Sequence, residues 1–539
     1  MLRSVVVLAM LLGLSACGGG GNASGTLVSA GGAGGGSSVT GTSPNGWVAG
    51  VFQPSSKFAN QCAAPRSGTD PVNQKAYPDT QGTATDENNF LRSWTNELYL
   101  WYSEVPDLNP ASYTTAAYFP LLKTSATTAS GNAKDKFHFT YPTSTWEQLS
   151  QAGVQLGYGA IFVIQQASPP RKIVVAYVQP STTDQPGNPA LAAGLMRGDS
   201  IVSIDGVSVD TNDQAGVDTL NEGLSPTTTT AHTFVFQPVG TTTSQTVSLT
   251  PATVTEAPVP IAMKIPVGSQ QVGYILFNDH IATSEKALID AVNTVQGASD
   301  LFLDIRYNGG GFLDIADELA FMIAGPTPTA GRTFEKVQFN DKNPLTNPVT
   351  GEPLTPTPFH TTTEGFSVTA GQPLPHLDLQ TVYVLTTSDT CSASESIINS
   401  LRGVGVNVIQ VGSTTCGKPY GFYPQDNCGT TYFSIEFKGV NDVGFGDYSD
   451  GFSPRNTVSN IGALVDGCSV ADDFTHALGD QNETLLSTAL GYRLNKTCPV
   501  PPSGLSRTSL KRAGLPGLAL TARSPLREMR ILGGPSTVR

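Results

Sequence analysis

Leu301-Phe302-Leu303-Asp304-Ile305-Arg306-Tyr307-Asn308-Gly309-Gly310-Gly311-Phe312 is the stretch from which the fold can be read. Its first five residues form a short apolar run carrying one carboxylate, the length of a strand covered on both faces. An Asn-Gly-Gly-Gly turn follows, and the spacing predicts a helix from about Phe312 to Ile323. The same order recurs on either side. Val272–Phe277 reads as a strand and Ser284–Val295 as a helix with Ala287, Leu288 and Ala291 on one face. Further on come a strand at Thr381–Leu385, a helix at Ser392–Leu401 and a strand at Val406–Val411. Strand-helix alternation over residues 257–495 argues for an α/β core with a largely parallel sheet. The Pro- and Thr-rich segment 325–375 is expected to loop over the surface.

The chain changes character upstream. Residues 46–149 form an N-terminal region in which 85–148 reads as helical. Asn88 to Tyr102 carries Phe90, Leu91, Trp94, Leu98 and Trp101 at helical spacing, an aromatic packing face. Leu108 to Ala129 is expected to be a second region with a helical core and Thr-rich ends. Residues 150–256 are β-rich, with runs at Ala160–Ile164, Ile173–Val178, Ser200–Ile204, His232–Gln237 and Gln245–Leu249. A short helix at Pro189–Leu195 precedes Arg197-Gly198-Asp199-Ser200-Ile201-Val202-Ser203-Ile204-Asp205-Gly206, a strand between two tight turns. The fold class expected is thus multidomain α+β.

Export is written into the first residues. Arg3 precedes an apolar run, Val5 to Leu14, of signal-peptide length. Leu14-Ser15-Ala16-Cys17 resembles a bacterial lipobox, which implies a signal peptide over 1–16 and lipidation of Cys17. Residues 17–45 are Gly/Ser-rich, as a tether held at a membrane would be. Gly18 after the cysteine resembles the pattern of outer-membrane lipoproteins, facing the periplasm or the cell surface. Six cysteines remain, and an even number in an exported chain suggests disulfides among fifteen possible connectivities. Cys416 with Cys428, which bracket a short loop, and Cys468 with Cys498 are the pairs expected first; no spacing suggests zinc, and no cofactor is expected. The net charge of −13 argues against a nucleic-acid partner. Residues 501–539 hold seven Lys/Arg against Glu528, a net of +6, so that 496–539 is expected to be a basic, disordered tail.

Chemistry concentrates where Thr381–Leu385 meets the next helix. Ser392 falls at that helix start, where free N–H groups and the helix dipole favour negative charge. The Ala393 amide could hold an oxyanion there, with a second donor from the Asn308–Gly311 turn. Lys418 lies 26 residues after Ser392, at the end of the next strand. A buried, neutral lysine can take a serine proton. A Ser-His-Asp triad would have to draw on six scattered histidines, of which His280 is the least poor candidate and reads better as a polar strand end. Glu395 reads as a helix-dipole partner, and Cys391 as an inert or disulfide-bonded thiol rather than a nucleophile.

Taken together, the 189–206 string, Asp304 to Gly311, Ser392-Ala393-Ser394-Glu395 and Gly417-Lys418 resemble the C-terminal processing, or tail-specific, proteases over roughly residues 150–425. The resemblance implies a β-rich PDZ domain at 150–256 and a ClpP/crotonase-like protease core at 257–495. It implies Ser392 as nucleophile, Lys418 as general base, and Gly310 with Ala393 as oxyanion hole. Gly157, Tyr158, Gly159 and Ala160 stand where such PDZ domains hold a peptide carboxylate. Substrates would be proteins or peptides, with the PDZ domain binding their C-termini or gating the site. One departure matters. The family places a lysine-orienting Gln four residues after the lysine, where this chain has Phe422, leaving Gln425 or Asn427 as candidates. The competing expectation is a lipid-anchored PDZ scaffold with an inactive core.

Overall fold

The stretch around Leu303 is the third strand of a six-stranded sheet. A computed structural model describes residues 47–71, 74–166, 168–181, 187–458, 461–502 and 530–531. The expected signal peptide, the expected lipidation site Cys17 and the expected tether lie outside them. The sheet strands are β1 (Ile261–Val267), β2 (Gln270–Leu276), β3 (Leu301–Asp304), β4 (Thr381–Thr386), β5 (Asn407–Gly412) and β6 (Gly467–Ser469). They lie side by side in that order. β1 and β2 form an antiparallel hairpin, and every later pairing is parallel. Parallel neighbours need crossovers. Helices α1 (Ser284–Thr294), α2 (Leu313–Ala324) and α3 (Ala393–Gly403) lie in the first three, and α4 (Thr484–Asn495) follows β6.

Strand alternation divides the core. Leu301, Leu303, Val382 and Val384 pack with Leu288 of α1, Leu319 of α2 and Ile397 of α3. Phe302, Tyr383, Leu385 and Val411 pack with Leu485, Leu486 and Ala489 of α4. All twelve residues of α2 are buried, the carboxyls of Asp314, Asp317 and Glu318 among them.

Residues 150–256 build a separate antiparallel sheet around their own core. Its order is Gln245–Leu249, His232–Gln237, Ser200–Ile204, Lys172–Val178 and Ala160–Gln166, which leaves Ala160–Gln166 at an edge. In the Arg197-Gly198-Asp199 turn, Gly198 takes φ +90° and the buried Asp199 carboxylate accepts the N–H groups of Met196 and Val239, both at 2.9 Å.

Four expectations need correction. The N-terminal helix runs Ala84–Leu98, four residues earlier than its aromatic periodicity, because Thr83 and Asp86 close a capping box. Residues 108–129 hold only a single turn, Thr115–Tyr118, between 3₁₀ turns; proline at 110 and 120 and the Thr-rich flanks oppose a longer helix. The 325–375 segment contains Thr333–Phe339, a strand paired antiparallel to Phe437–Val440, with Phe334, Val337 and Phe339 buried. The disulfides join Cys62 to Cys428, Cys391 to Cys416 and Cys468 to Cys498. Cys416 and Cys428 are therefore not partners. Cys416 N–H bonds back to Thr390 O at 3.0 Å beside Cys391, while Cys428 caps a hairpin whose Asn427 Oδ1 meets Asn60 N–H at 2.8 Å. Cys498 also fastens the first residues of the expected tail to β6. Among the described residues no helix is long and apolar enough to cross a membrane.

Candidate active site

Ser392 stands between β4 and α3 and is fully buried. Its backbone has φ +60° and ψ −119°, a conformation natural only to glycine. Holding an L-residue there costs about 1–3 kcal/mol and persists only where the surroundings over-determine it. Here they do. Thr387 N–H bonds to Thr390 Oγ1 at 3.1 Å, and Thr390 Oγ1 donates to Ile305 O at 2.9 Å. Cys391 N–H and Ser394 Oγ both donate to Asn308 O at 3.0 Å. The turn after β4 is thereby fixed against the turn after β3.

Glu395 is the centre of this arrangement. Its buried carboxylate accepts N–H bonds from Ser392 at 3.0 Å, Gly417 at 2.9 Å and Lys418 at 2.8 Å, and a hydroxyl bond from Thr415. Burial pushes its pKa up, while the Thr415 hydroxyl and the three amides pull it down. The Cys391–Cys416 disulfide repeats the connection one residue before Ser392 and two before Lys418. Glu395 is thus more than a dipole partner. The Ser392-x-x-Glu395 spacing is a capping-box signature and could have announced the bond to Ser392. Nothing local announces the bonds to residues 417 and 418. Both sulfurs beside Glu395 are spent on each other, so no thiolate is left there to bind a metal.

Lys418 is fully buried. Its Nζ lies 4.3 Å from the Phe422 ring centre and 4.6 Å from that of Phe137. Phe137 comes from the N-terminal region, and sequence reasoning did not find it. Gln425 Nε2 donates to Asp426 O at 3.0 Å, and Asn427 Oδ1 accepts Asn60 N–H at 2.8 Å.

The turn after β3 is held by Asn308. Its Oδ1 accepts Gly310 N–H at 2.9 Å and lies 2.9 Å from His280 Nδ1; its Nδ2 donates to Phe277 O at 3.1 Å. Burial lowers the His280 pKa to about 3, so the ring is neutral and Nδ1–H is the donor. His280 therefore supports the glycine turn rather than a serine. Gly310 takes φ +100° with its N–H on Asn308, so in this conformation that amide is already occupied.

In the 150–256 unit, Gly157 ends a strand, Tyr158 is buried in the local core, Gly159 takes φ +80° and Ala160 opens the edge strand. A Cβ on residue 159 would strike the Asn188 side chain at 2.3 Å, so that turn requires glycine. Arg197 joins this unit to the core. Its guanidinium donates to Asp472 at 2.8 Å and to Tyr307 Oη at 2.6 Å, and Asp472 in turn accepts Arg306 at 2.8 Å. Arg306 and Tyr307 lead directly into the Asn308 turn.

Comparison with known proteins agrees with this geometry. Residues 271–421 match the model of peptidase family S41. A carboxyl-terminal-processing protease of Picosynechococcus sp. is 29% identical over 243 residues, covering 43% of this chain and 49% of the relative. A chloroplastic C-terminal processing peptidase of Tetradesmus obliquus is 31% identical over 153 residues, covering 26% of this chain and 32% of the relative. The chain thus spans half or less of the length of these curated relatives. A solved structure from Bacteroides fragilis assigned to the S41 proteases aligns with 78% of this chain and 98% of its own, at TM-score 0.51 and 22% identity, a likeness of fold.

Proposed function

We propose, from the match of residues 271–421 to the model of peptidase family S41, that the protein is a serine endopeptidase in which Ser392 attacks and Lys418 is the base. Neutral Lys418 takes the Ser392 hydroxyl proton as Oγ adds to the scissile carbonyl. The resulting ammonium gives that proton to the leaving amine, and an acyl-enzyme remains. Water, deprotonated by the same lysine, then releases the acid and regenerates the serine. Ala393 N–H, at the start of α3, receives the oxyanion. Gly310 N–H supplies the second bond once Asn308 Oδ1 yields it.

The observation that carries this reading is the Glu395 carboxylate, which gathers the backbone amides of Ser392, Gly417 and Lys418 on one buried group. Two groups far apart in sequence are held to fixed positions, as an acid–base pair requires. The lysine is lined by two aromatic rings, where other family members are expected to use a carboxamide.

The 150–256 unit acts as a PDZ domain that takes peptide C-termini at its Ala160–Gln166 edge, and Cys17 anchors the protein to the outer membrane of a bacterial envelope. Substrates are exported proteins or peptides. The test is a fluorophosphonate probe applied to wild type, Ser392→Ala and Lys418→Ala. Wild-type protein is expected to label, Ser392→Ala not at all, and Lys418→Ala at least about a hundredfold more slowly, the range of a lost acid–base group. Labelling of wild type and Ser392→Ala to the same extent would leave the inactive PDZ scaffold as the better reading.

A further inference from the structure

One of the two rings against Lys418 belongs to Phe137, which lies far outside the 271–421 match. Both residues are buried, and the Lys418 Nζ stands 4.6 Å from the centre of the Phe137 ring and 4.3 Å from that of Phe422. The chain around Phe137 is fastened on several sides. Phe137 N–H donates to Asp135 Oδ1 at 2.9 Å, and the other oxygen of that buried carboxylate accepts the Tyr99 hydroxyl at 2.7 Å. Lys136 Nζ donates to Cys416 O at 2.7 Å, two residues before Lys418. His138 stacks on Phe119 with ring centres 3.9 Å apart. Phe139 then opens the strand paired with Thr430–Phe433, and its ring centre lies 4.5 Å from that of Phe433 and 6.0 Å from that of Phe422. The Phe137 ring is thereby fixed against the lysine by bonds to two other parts of the chain.

A lysine that acts as general base changes charge twice in a cycle. It must be neutral to take the Ser392 proton, and it is an ammonium until it passes that proton to the leaving amine. The two states favour different surroundings. Exclusion of water favours the neutral amine, by up to about 3–5 pH units for a fully buried group. An aromatic face attracts the cation within about 6 Å of its centre. Phenyl rings on two sides serve both states, without the directional bond that a carboxamide would make. We propose that Phe137 is a positioning residue for Lys418: with Phe422 it keeps water from the amine and gives the ammonium formed in the reaction a ring face to rest on. This role rests on the Ser–Lys reading. The rings exchange no proton, so the proton count of that reaction is unchanged.

Titratable groups stand on every element around Lys418, and each has its own partners. Glu395 of α3 faces three backbone amides, Asp135 faces Tyr99 and the Phe137 amide, and Lys136 faces Cys416 O. Glu436 accepts Tyr423 N–H at 3.1 Å, and Asp450 accepts Thr128 Oγ1 at 2.9 Å. Tyr420, two residues beyond Lys418, is raised to about 12, by burial first and then by the charge of Asp447. None of these bonds uses the Phe137 ring, so trimming it leaves them in place.

Full-length protein carrying lysine labelled with carbon-13 at Cε reports the charge of Lys418 by NMR, its resonance identified by loss in Lys418→Met. Two variants should move its titration in opposite directions. Phe137→Leu keeps the wall dry and removes the ring face, so the midpoint should fall by about one pH unit. Phe137→Ala lets water in, so the midpoint should rise by at least about one pH unit, towards the ordinary lysine value of about 10.4. The pH profile of fluorophosphonate labelling should shift with each. A ring that only fills space would move neither midpoint, or both in one sense, and either result overturns the proposal. Should the alanine variant not fold, the leucine variant decides alone, and a midpoint unmoved or raised overturns it. Opposed midpoints in a protein whose Ser392 never labels would keep the hold of Phe137 on the lysine and remove the peptidase reading. Labelling of wild type with unmoved midpoints does the reverse.

Discussion

At the scale of the residue, Ser392 carries a cost that its side chain does not explain. Its φ of +60° with ψ of −119° is forced by the bonds that fix Thr390, Cys391 and Ser394 against the turn after β3. Replacing it with alanine removes the hydroxyl and keeps the backbone cost. Replacing it with glycine removes both. Both variants lack the hydroxyl proposed as nucleophile, so both are expected to be inert to the fluorophosphonate. Their stabilities should differ: Ser392→Gly is expected to exceed Ser392→Ala by about 1 kcal/mol in urea unfolding, somewhat offset by glycine's extra freedom in the unfolded chain. A Gly variant no more stable than the Ala variant would mean that the surroundings do not impose this backbone. Stability given up at Ser392 is what the proposed reaction site should show.

At the scale of the element, the unit that matters is two turns, one after β4 and one after β5, stapled by Cys391–Cys416 and by Glu395. A cross-link over 25 residues contributes about 3 kcal/mol through the unfolded chain. Replacing both cysteines with serine should therefore lower the unfolding free energy by about that much and slow probe labelling as the Ser392 and Lys418 segments loosen. The same change at Cys468–Cys498, which ties the chain beyond α4 to β6, should lower stability with little effect on labelling. Labelling slowed equally by both would remove the disulfide from the site. This staple also shows what the sequence could and could not disclose. β3, β4 and β5 were legible because each is a short apolar run bounded by turn residues. The Ser392 helix start was legible from its junction with a strand. Of the disulfides, Cys468–Cys498 was legible and the other two were not: Cys62 and Cys428 meet because Phe139–Pro142 pairs with Thr430–Phe433 and brings the N-terminal region to that hairpin. Thr333–Phe339 was missed for the same reason, since its partner strand lies a hundred residues on, and proline-rich flanks conceal it. Phe137 over Lys418 depends on the same long-range pairing.

At the scale of the whole molecule, stability and activity should respond to pH in opposite directions. Burial raises the pKa of Glu436 to about 8, against the Tyr423 N–H it accepts at 3.1 Å, and that of Glu318 to about 9. In the unfolded chain a glutamate titrates near 4.3. Between these values the folded protein holds protons that the unfolded chain has released, so stability is greatest at low pH and falls as pH rises, by up to about 1.4 kcal/mol per pH unit per group. It levels off once pH passes the folded-state values. His138 and His280, lowered by burial to about 4 and about 3, act in the other sense, but only below the ordinary histidine value of about 6.5. Above it the raised carboxyls set the slope together with His360, which, against burial, its bond to Asp314 and the nearby Asp317 raise to about 10. His360 keeps a proton that the unfolded chain sheds above about 6.5 and so adds to the same decline. A Ser–Lys reaction runs the other way, since more of the lysine is neutral at higher pH. Tm should therefore decline from pH 6.5 to 9 while the labelling rate climbs. Glu436→Gln separates the two, because it removes one buried acid from the 8 region while leaving Ser392, Glu395 and Lys418 in place. Its Tm should fall less steeply than wild type between pH 6.5 and 8, with the rise in labelling unchanged. Parallel Tm curves would show that Glu436 ionises normally in the folded protein, and a flattened labelling profile would place it in the reaction rather than in the core.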